Sequence, residues 1–198
     1  MNRRSFLSAS GSAMLVAHSP MLFATDGMPE NPLIMGDGFR INSSLSQSKV
    51  TIDPGLSRRQ WKTIIAVQDH LFPSEQDAPG AKEVNSQAYL YAVLSDANRD
   101  DDDRQLVKNG LLELQDICWQ QYKKLFTQLT AEQAELVLRE FEKSPDGRPW
   151  LMTILGYIFE ALLVDPVYGG NPNGIGWKWL QHQAGLPRPT METRYFLL

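Results

Sequence analysis

Apolar side chains recur every three or four residues along most of this sequence, and that spacing constrains the fold more than any other feature. The longest run extends from Arg104 to Leu129 and predicts one long helix. Its apolar positions are Leu106, Val107, Leu111, Leu114, Ile117, Cys118, Tyr122, Leu125 and Phe126. No series of alternating apolar and polar residues predicts strands, and no repeat or heptad pattern is present. The sequence therefore predicts an all-α fold, a compact bundle of about five helices.

Local start and stop signals delimit the other predicted helices. Ser57 is placed to cap the first helix, and Pro73 ends it. Thr130 and Gln133 form a capping-box pattern at the start of the fourth. The fifth helix is apolar around most of its circumference, so it is either central in the bundle or shared with a second protein. The predicted ranges are about 57–72, 86–94, 104–129, 130–143 and 149–164.

The first residues carry paired arginines ahead of a mildly apolar stretch. Arg3 and Arg4, followed by Phe6 and Leu7, are typical of a twin-arginine export signal. The stretch from Ser8 to Ala24 is interrupted by serines, a glycine and a proline, so it is too short and too weakly apolar for a spanning helix. The sequence therefore predicts that residues 1–24 are a removable signal and that the folded protein is exported to the periplasm. Leu22 departs from the small residue that usually lies two positions before the cleaved residue, so retention of the segment as an N-terminal anchor is the alternative to cleavage after Ala24.

Composition limits the structure and the partners of the chain beyond the signal. Residues 25–51 are rich in Pro, Gly, Ser and Asn and predict an extended polar leader, whereas residues 52–198 are long enough for one helical domain. Removing residues 1–24 takes away two arginines and no acid, so the formal charge falls from -4 to -6. Such a surface argues against DNA or RNA as a partner, because nucleic-acid binding needs clustered Lys and Arg. No second apolar run approaches membrane-spanning length.

Two features suggest special chemistry without establishing it. Cys118 is the only cysteine, so it forms no internal disulfide; a buried thiol is favoured over a bond to another chain, which the periplasm would permit. The acidic run from Asp96 to Asp103 resembles a calcium loop but lacks its central Gly and closing Glu. We instead expect its last aspartates to cap the following helix and to favour its dipole.

No catalytic assembly is evident in the single chain. His70 lies at the end of a predicted helix, where a helix-terminal or partner-contacting role is favoured. An autonomous enzyme would have to use Asp69, His70 and Asp165, with no nucleophile or cofactor loop beside them. The glycines after residue 168 match no dinucleotide or P-loop spacing. Another hypothesis is that the chain is a stand-alone periplasmic ligand-binding protein, with an apolar pocket lined by the tryptophans Trp61, Trp119 and Trp150.

Several sequence blocks carry a family resemblance. They are Leu-Phe-Pro-Ser at 71–74, Asp-Ala-Pro-Gly-Ala at 77–81, Asp-Pro-Val-Tyr-Gly-Gly-Asn at 165–171, Gly-Ile-Gly-Trp at 174–177 and Gly-Leu-Pro at 185–187. With these blocks the chain, from about Ile52 onward, resembles the gluconate 2-dehydrogenase subunit 3 family. One departure from the family pattern is that Arg188, and not glycine, follows Pro187.

The resemblance implies a small subunit without catalytic activity of its own, in a periplasmic sugar or sugar-acid dehydrogenase complex. It implies that a large flavoprotein of the glucose-methanol-choline type holds FAD and substrate, and that a multihaem cytochrome c accepts the electrons. Together with the twin-arginine signal, it suggests that the chain is a scaffold that escorts the folded flavoprotein through the twin-arginine translocase. The complex could then hold the chain at the membrane.

For the partner interface we predict the glycine- and tryptophan-rich segment near the C-terminus, with the tail from Arg188 and Pro189 to Tyr195 and Phe196 extending it. Glycines permit a close-packed irregular backbone, and rigid aromatic side chains often anchor interfaces. The alternative is that these aromatics close the core of the bundle itself. The predicted interface residues are Tyr168, Gly169, Gly170, Asn171, Gly174, Gly176, Trp177 and Trp179.

Overall fold

The computed structural model describes residues 52–193 together with the backbone of two short strands, β1 (Thr25–Asp26) and β2 (Ser46–Val50), which pair in parallel. The predicted signal at 1–24, most of the leader and the tail residues Tyr195 and Phe196 lie outside the described residues. The body is helical, which confirms the predicted all-α fold. Its helices are α1 (Arg58–Leu71), α2 (Ser86–Leu94), α3 (Asp101–Tyr122), α4 (Ala131–Phe141), α5 (Gly147–Leu163) and α6 (Ile175–Leu180).

Three 3-10 turns join these helices, at Phe126–Gln128, Pro166–Tyr168 and Pro172–Gly174. The last two and α6 lie in the segment predicted to be an irregular extension, so that segment has more helical structure than expected. None of the helices in the described part of the chain is long and apolar enough to cross a membrane.

The predicted Ser57 cap and the predicted capping box at Thr130 are both present, and Ser57 forms a capping box as well. The Ser57 hydroxyl accepts from the backbone N–H of Gln60 at 3.3 Å, and the Gln60 side chain accepts from the Ser57 N–H at 2.8 Å. Thr130 and Gln133 make the same reciprocal pair at 3.3 and 3.1 Å. Each pair satisfies two backbone groups that a helix end would otherwise leave without partners, which fixes where α1 and α4 begin.

Helix α3 differs from the prediction at both ends. It stops at Tyr122 because Lys123 adopts a left-handed conformation with φ of 55°, so Leu125 and Phe126 lie beyond it. At its start, Asp100 occupies the N-cap position but its side chain makes no capping hydrogen bond, so the predicted aspartate cap is wrong. The acidic first turn is instead tied down by arginines, since Asp101 pairs with Arg104 at 2.5 Å and Asp103 pairs with Arg99.

Helix α5 is central in the bundle, as one of the two sequence-based alternatives predicted. Its inward residues Trp150, Ile154, Ile158 and Leu162 are almost fully buried, and each contributes about 1.5–3 kcal/mol of hydrophobic stabilisation. The Trp150 indole donates to the Val107 carbonyl at 3.0 Å. The ring can approach α3 this closely because Gly110 has no Cβ; one placed there would lie 2.1 Å from Trp150. The outer face of α5 is exposed at Met152 and Leu163.

Candidate functional site

The end of α5 passes into the Gly–Trp segment, which we define as residues 168–179. Asp165 caps the 3-10 turn Pro166–Tyr168 by accepting from the Val167 N–H at 3.0 Å. Gly169 then takes φ of 93°, a conformation that residues with a Cβ rarely adopt. Its carbonyl accepts from the Asn85 side chain at 2.7 Å. The chain therefore reverses direction immediately after α5 and folds back against the start of α2.

Asn171 holds this reversal together from a fully buried position. Its side-chain amide donates to the Val164 carbonyl at 3.1 Å, and its side-chain oxygen accepts from the Gly176 N–H at 2.7 Å. Its own backbone N–H donates to the Val84 carbonyl at 3.0 Å. One side chain thus joins the end of α5 to the first turn of α6, and buried polar groups that would otherwise lack partners are satisfied.

Two glycines of the Gly–Trp segment are required by close packing on α5. A Cβ at Gly176 would lie 2.1 Å from the Leu162 carbonyl oxygen, and one at Gly170 would lie 2.8 Å from the Ala161 carbonyl oxygen. Both distances are far below van der Waals contact. These two glycines therefore let the backbone of the segment pack directly against the backbone of α5.

The two tryptophans of the segment differ in their surroundings. Trp179 is buried and makes an edge-on contact with Phe72, with ring centroids 6.3 Å apart. Trp177 is half-buried; its indole donates to the Leu163 carbonyl at 2.7 Å. The Arg188 guanidinium lies 4.9 Å from the Trp177 ring centroid and pairs with Asp165 at 2.9 Å. That ion pair raises the pKa of Arg188 and fastens the C-terminal tail over the end of α5.

The structure divides the eight predicted interface residues. Five are buried inside this chain, namely Gly170, Asn171, Gly174, Gly176 and Trp179. These five residues pack against the rest of the bundle, as the alternative hypothesis predicted. The other three, Tyr168, Gly169 and Trp177, are half-buried and remain the part of the segment that a partner could reach. Of the eight predicted interface residues, only these three are accessible to a partner, and the exposed Arg188 lies beside them.

The three residues suggested for an autonomous enzyme are not gathered into one site, and two of them, His70 and Asp165, have structural partners. His70, in the last turn of α1, bonds to Glu135 of α4 at 2.9 Å, and this bond lowers the pKa of Glu135. Asp165 is engaged by Arg188 and Val167. The pKa of Asp69 is raised, first by desolvation and then by the neighbouring carboxylate of Glu83. Within residues 52–193, no group of three or more His, Cys, Asp or Glu side chains is placed to hold a metal.

The tryptophans suggested for a ligand pocket do not line a common cavity. Trp61 and Trp150 are buried in the core, whereas 54% of Trp119 is exposed on the outer face of α3. Cys118, next to it in the chain, is fully buried, which confirms the predicted structural thiol. Burial raises the pKa of this thiol to about 11.

Sequence reasoning did not find two residues that fix the chain on either side of α2. Asn85 anchors the reversal through Gly169, yet nothing in its local sequence distinguishes it from an ordinary polar residue before α2. Arg104 is buried and donates to the Leu94 carbonyl at 2.9 Å and to the Asp96 carbonyl, so it fixes the turn between α2 and α3. Its sequence signal was a lone arginine at an apolar-periodic position, one turn before Val107.

Comparison with known proteins gives one finding that covers most of the described body. The family model for gluconate 2-dehydrogenase subunit 3 matches residues 58–185, which is more than half of the chain. The matched range includes all six helices and the whole Gly–Trp segment. No curated protein and no solved structure matches the chain.

Proposed function

The chain belongs to the gluconate 2-dehydrogenase subunit 3 family, and we propose from this that it is the non-catalytic small subunit of a periplasmic, FAD-dependent sugar or sugar-acid dehydrogenase. The family name itself implies a multi-subunit dehydrogenase complex. The observation that carries the proposal is the family match, because it extends from the first helix to the C-terminal tail and includes the Gly–Trp segment.

In this proposal the chemistry belongs to other subunits. A large flavoprotein of the glucose-methanol-choline type binds FAD and the substrate, and a multihaem cytochrome c subunit takes the electrons onward. The contacts of His70 and Asp165 support this division of labour. His70 is held by a hydrogen bond to Glu135 and Asp165 by an ion pair with Arg188, and each contact joins two parts of this chain, so both residues have structural roles that account for their positions.

The proposed task of the chain is to scaffold the flavoprotein and to escort it during export. FAD is inserted in the cytoplasm, so a flavoprotein without its own signal needs a route that moves folded cargo. Arg3 and Arg4, with Phe6 and Leu7 after them, would supply the address that the twin-arginine translocase recognises. The complex would then reside in the periplasm, with membrane attachment provided by a partner subunit.

The surface proposed for flavoprotein contact is the reachable part of the Gly–Trp segment. Tyr168 and Trp177 offer half-buried aromatic area, and Arg188 stacks on Trp177 in a position fixed by Asp165. Aromatic and arginine side chains held in one rotamer lose little entropy on binding, which is why they often dominate interface energies.

The test is co-purification from the exported fraction. The tagged chain is expressed with its flavoprotein, recovered from periplasm and membranes, and the eluate is examined for flavin absorbance and for dye-linked dehydrogenase activity on sugars and sugar acids. We expect a flavoprotein to co-purify, and we expect Arg3→Lys plus Arg4→Lys to remove the pair from the exported fraction. Arg58→Lys plus Arg59→Lys is the matched control, since it changes adjacent arginines outside the signal in the same way.

The outcomes separate the proposal from the stand-alone ligand-binding hypothesis. A lone, colourless and monodisperse chain in the periplasm would contradict a subunit role. A flavoprotein that reaches the periplasm equally well with the Lys-Lys signal would contradict the escort role but leave the scaffold role intact.

A further inference from the structure

The outer face of α5 carries a continuous line of apolar side chains, which we call the α5 stripe. Its members recur at intervals of three or four residues and therefore lie on one face of the helix. They are Met152, Leu155, Phe159 and Leu163. The two end residues are 49% and 50% exposed, and the two between them are half-buried. Gly156, on the same face, has open space around it, so this face contains no polar side chain from residue 152 to residue 163.

The large exposed apolar side chains of the other described helices lie among charged residues. On α3, the exposed Asp116 lies between Leu112 and Trp119 on the same face. On α4, the exposed Glu132 lies one turn before Leu136. Single apolar side chains of this kind are normal on a protein surface, whereas a continuous apolar face marks a place that another segment covers. The α5 stripe is therefore the helix face on which a covering segment should be sought.

A run of apolar side chains follows the described part of the chain. Residues 195–198 are Tyr-Phe-Leu-Leu, and we call them the apolar tail. They lie outside the described residues, which end at Thr193. Beyond residue 24, every other run of four apolar residues in the sequence lies in α1, in α2 or at the end of α5. Contact between these side chains and water is unfavourable, so the apolar tail gains free energy from any apolar surface within its reach.

The contacts of Arg188 bring the chain that precedes the apolar tail to one end of the α5 stripe. The Arg188 guanidinium pairs with Asp165 at 2.9 Å and lies 4.9 Å from the Trp177 ring centroid. The Trp177 indole in turn donates to the Leu163 carbonyl at 2.7 Å. Arg188 is thus held close to the last residue of the stripe.

The chain after Arg188 keeps the apolar tail within reach of the stripe. The Thr193 N–H donates to the Thr190 carbonyl at 3.2 Å, and the Thr190 N–H donates to the Thr193 hydroxyl at 2.9 Å, which closes a turn. The two ends of such a turn lie within about 7 Å of each other. Residues 194–198, if extended, span about 17 Å, and the stripe measured along its helix is also about 17 Å long. The apolar tail can therefore reach the near end of the stripe and lie along much of it.

We propose that the apolar tail docks on the α5 stripe of the same chain. The chain's own tail fits better than a second copy because Arg188 already holds it beside the stripe, so docking occurs at high effective concentration and costs little association entropy. The inference does not depend on the proposed function, since both surfaces belong to one chain. One consequence is that a partner which binds the apolar tail also uncovers the stripe.

The test is limited digestion with chymotrypsin, which cleaves after aromatic residues and leucine. The full-length chain is used without a C-terminal tag, and intact mass records cleavage within the apolar tail. The stripe variant is Met152→Gln plus Leu163→Gln. The matched control is Leu112→Gln plus Leu136→Gln, which makes the same change at two exposed apolar side chains outside the stripe. Glutamine is a good helix former, and a thermal melt verifies that both variants fold.

Chymotrypsin cleaves the tail only while it is undocked, so the cleavage rate follows the fraction of chains in which the tail is free. We expect tail cleavage in the stripe variant to be about tenfold faster than in wild type, because the substitutions remove apolar contact area at both ends of the stripe. We expect the control to stay within about twofold of wild type.

A reciprocal measurement starts from the tail and leaves α5 unchanged. Phe196→Ser plus Leu197→Ser weakens docking without altering the described helices. The Met152 thioether should then be oxidised by hydrogen peroxide at least about threefold faster than in wild type, as peptide mass spectrometry records, because an uncovered methionine reacts faster.

Three outcomes would overturn the inference. The first is equal tail cleavage in wild type and the stripe variant, together with equal Met152 oxidation in wild type and the tail variant. The second is a wild-type dimer in sedimentation velocity that the stripe variant abolishes while tail cleavage stays the same, since a second copy would then cover the stripe. The third is protection of the tail only when the flavoprotein is added, which would place the tail at the partner interface and leave the proposed function intact.

Discussion

Asn171 gives the sharpest test of how the Gly–Trp segment is held. Its side chain is fully buried and makes two hydrogen bonds, one to the Val164 carbonyl and one from the Gly176 N–H. We expect Asn171→Ala to leave both of these backbone groups without a partner. The substitution also places alanine in a left-handed conformation, at φ of 48°.

The expected loss of stability can be worked out from these contacts. A buried donor or acceptor left without its partner costs about 1–3 kcal/mol, so two of them lower the free energy of unfolding by about 2–6 kcal/mol. The left-handed conformation adds about 1 kcal/mol for alanine. Asn173→Ala is the matched control, because Asn173 is exposed and has φ of 57°, and no hydrogen bond of its side chain is present within residues 52–193. It shares the conformational cost but not the loss of hydrogen bonds.

The assay is urea denaturation of the purified chain followed by tryptophan fluorescence, with the dependence on urea concentration compared between variants. We expect Asn171→Ala to be less stable than Asn173→Ala by about 2–6 kcal/mol. A difference below about 1 kcal/mol would show that the two hydrogen bonds do not hold the segment on α5 and would refute the reasoning.

Three further predictions use other features of the described residues. Gly176→Ala should lower the free energy of unfolding by about 1–3 kcal/mol, because the added Cβ meets a carbonyl oxygen. Gly156→Ala, with open space around it in α5, should raise the free energy of unfolding by about 0.5–1 kcal/mol, and equal effects of the two substitutions in urea denaturation would contradict this. The Cys118 thiol, whose pKa burial raises to about 11, should resist iodoacetamide at pH 8 until the chain unfolds, and rapid labelling of the native chain would argue against its burial. The hydrogen bond from His70 lowers the pKa of Glu135, so the stabilisation from this bond should be present above pH 4.5, the ordinary pKa of a glutamate, and be lost as the pH falls below that value. Glu135→Gln should flatten this part of the pH–stability curve, and an unchanged curve would contradict the prediction.

The helices could be predicted where local chemistry and apolar period agreed. Ser57 and Thr130 each provide a side-chain acceptor that a helix start requires, and both helices begin there in the structure. The predicted range of α2 agrees with the observed one. At such helix ends the backbone groups find their hydrogen-bond partners within a few residues. The neighbouring sequence is therefore enough to predict where the helix begins.

The end of α3 could not be predicted in this way, because the apolar period continues past it. Leu125 and Phe126 follow Tyr122 at helical spacing, yet Lys123 turns left-handed and Phe126 is buried from a 3-10 turn. Lysine rarely adopts that conformation, and nothing adjacent to it in the sequence requires it. The packing of the turn against α1 determines the break, and that packing joins residues distant in sequence.

The sequence predicted which residues form the candidate site but not whether they face a partner or the chain itself. Glycines and aromatics in one segment indicate close approach of something, and the sequence does not say whether a partner or the chain itself approaches. The structure shows that α5 does, since Gly170 and Gly176 face its last turns. The distinction rests on hydrogen bonds such as that from Asn85 to Gly169, which joins residues 84 positions apart.

This internal use of the Gly–Trp segment changes where partner contact should be sought. Because the segment satisfies its own buried backbone groups, a partner can contact only its accessible aromatic rim, which consists of the half-buried residues Tyr168 and Trp177. If this aromatic rim anchors a partner, it should govern how long the complex lasts more than how fast it forms, because most interface substitutions change the dissociation rate. Trp177→Ala should then speed dissociation and leave the association rate nearly unchanged.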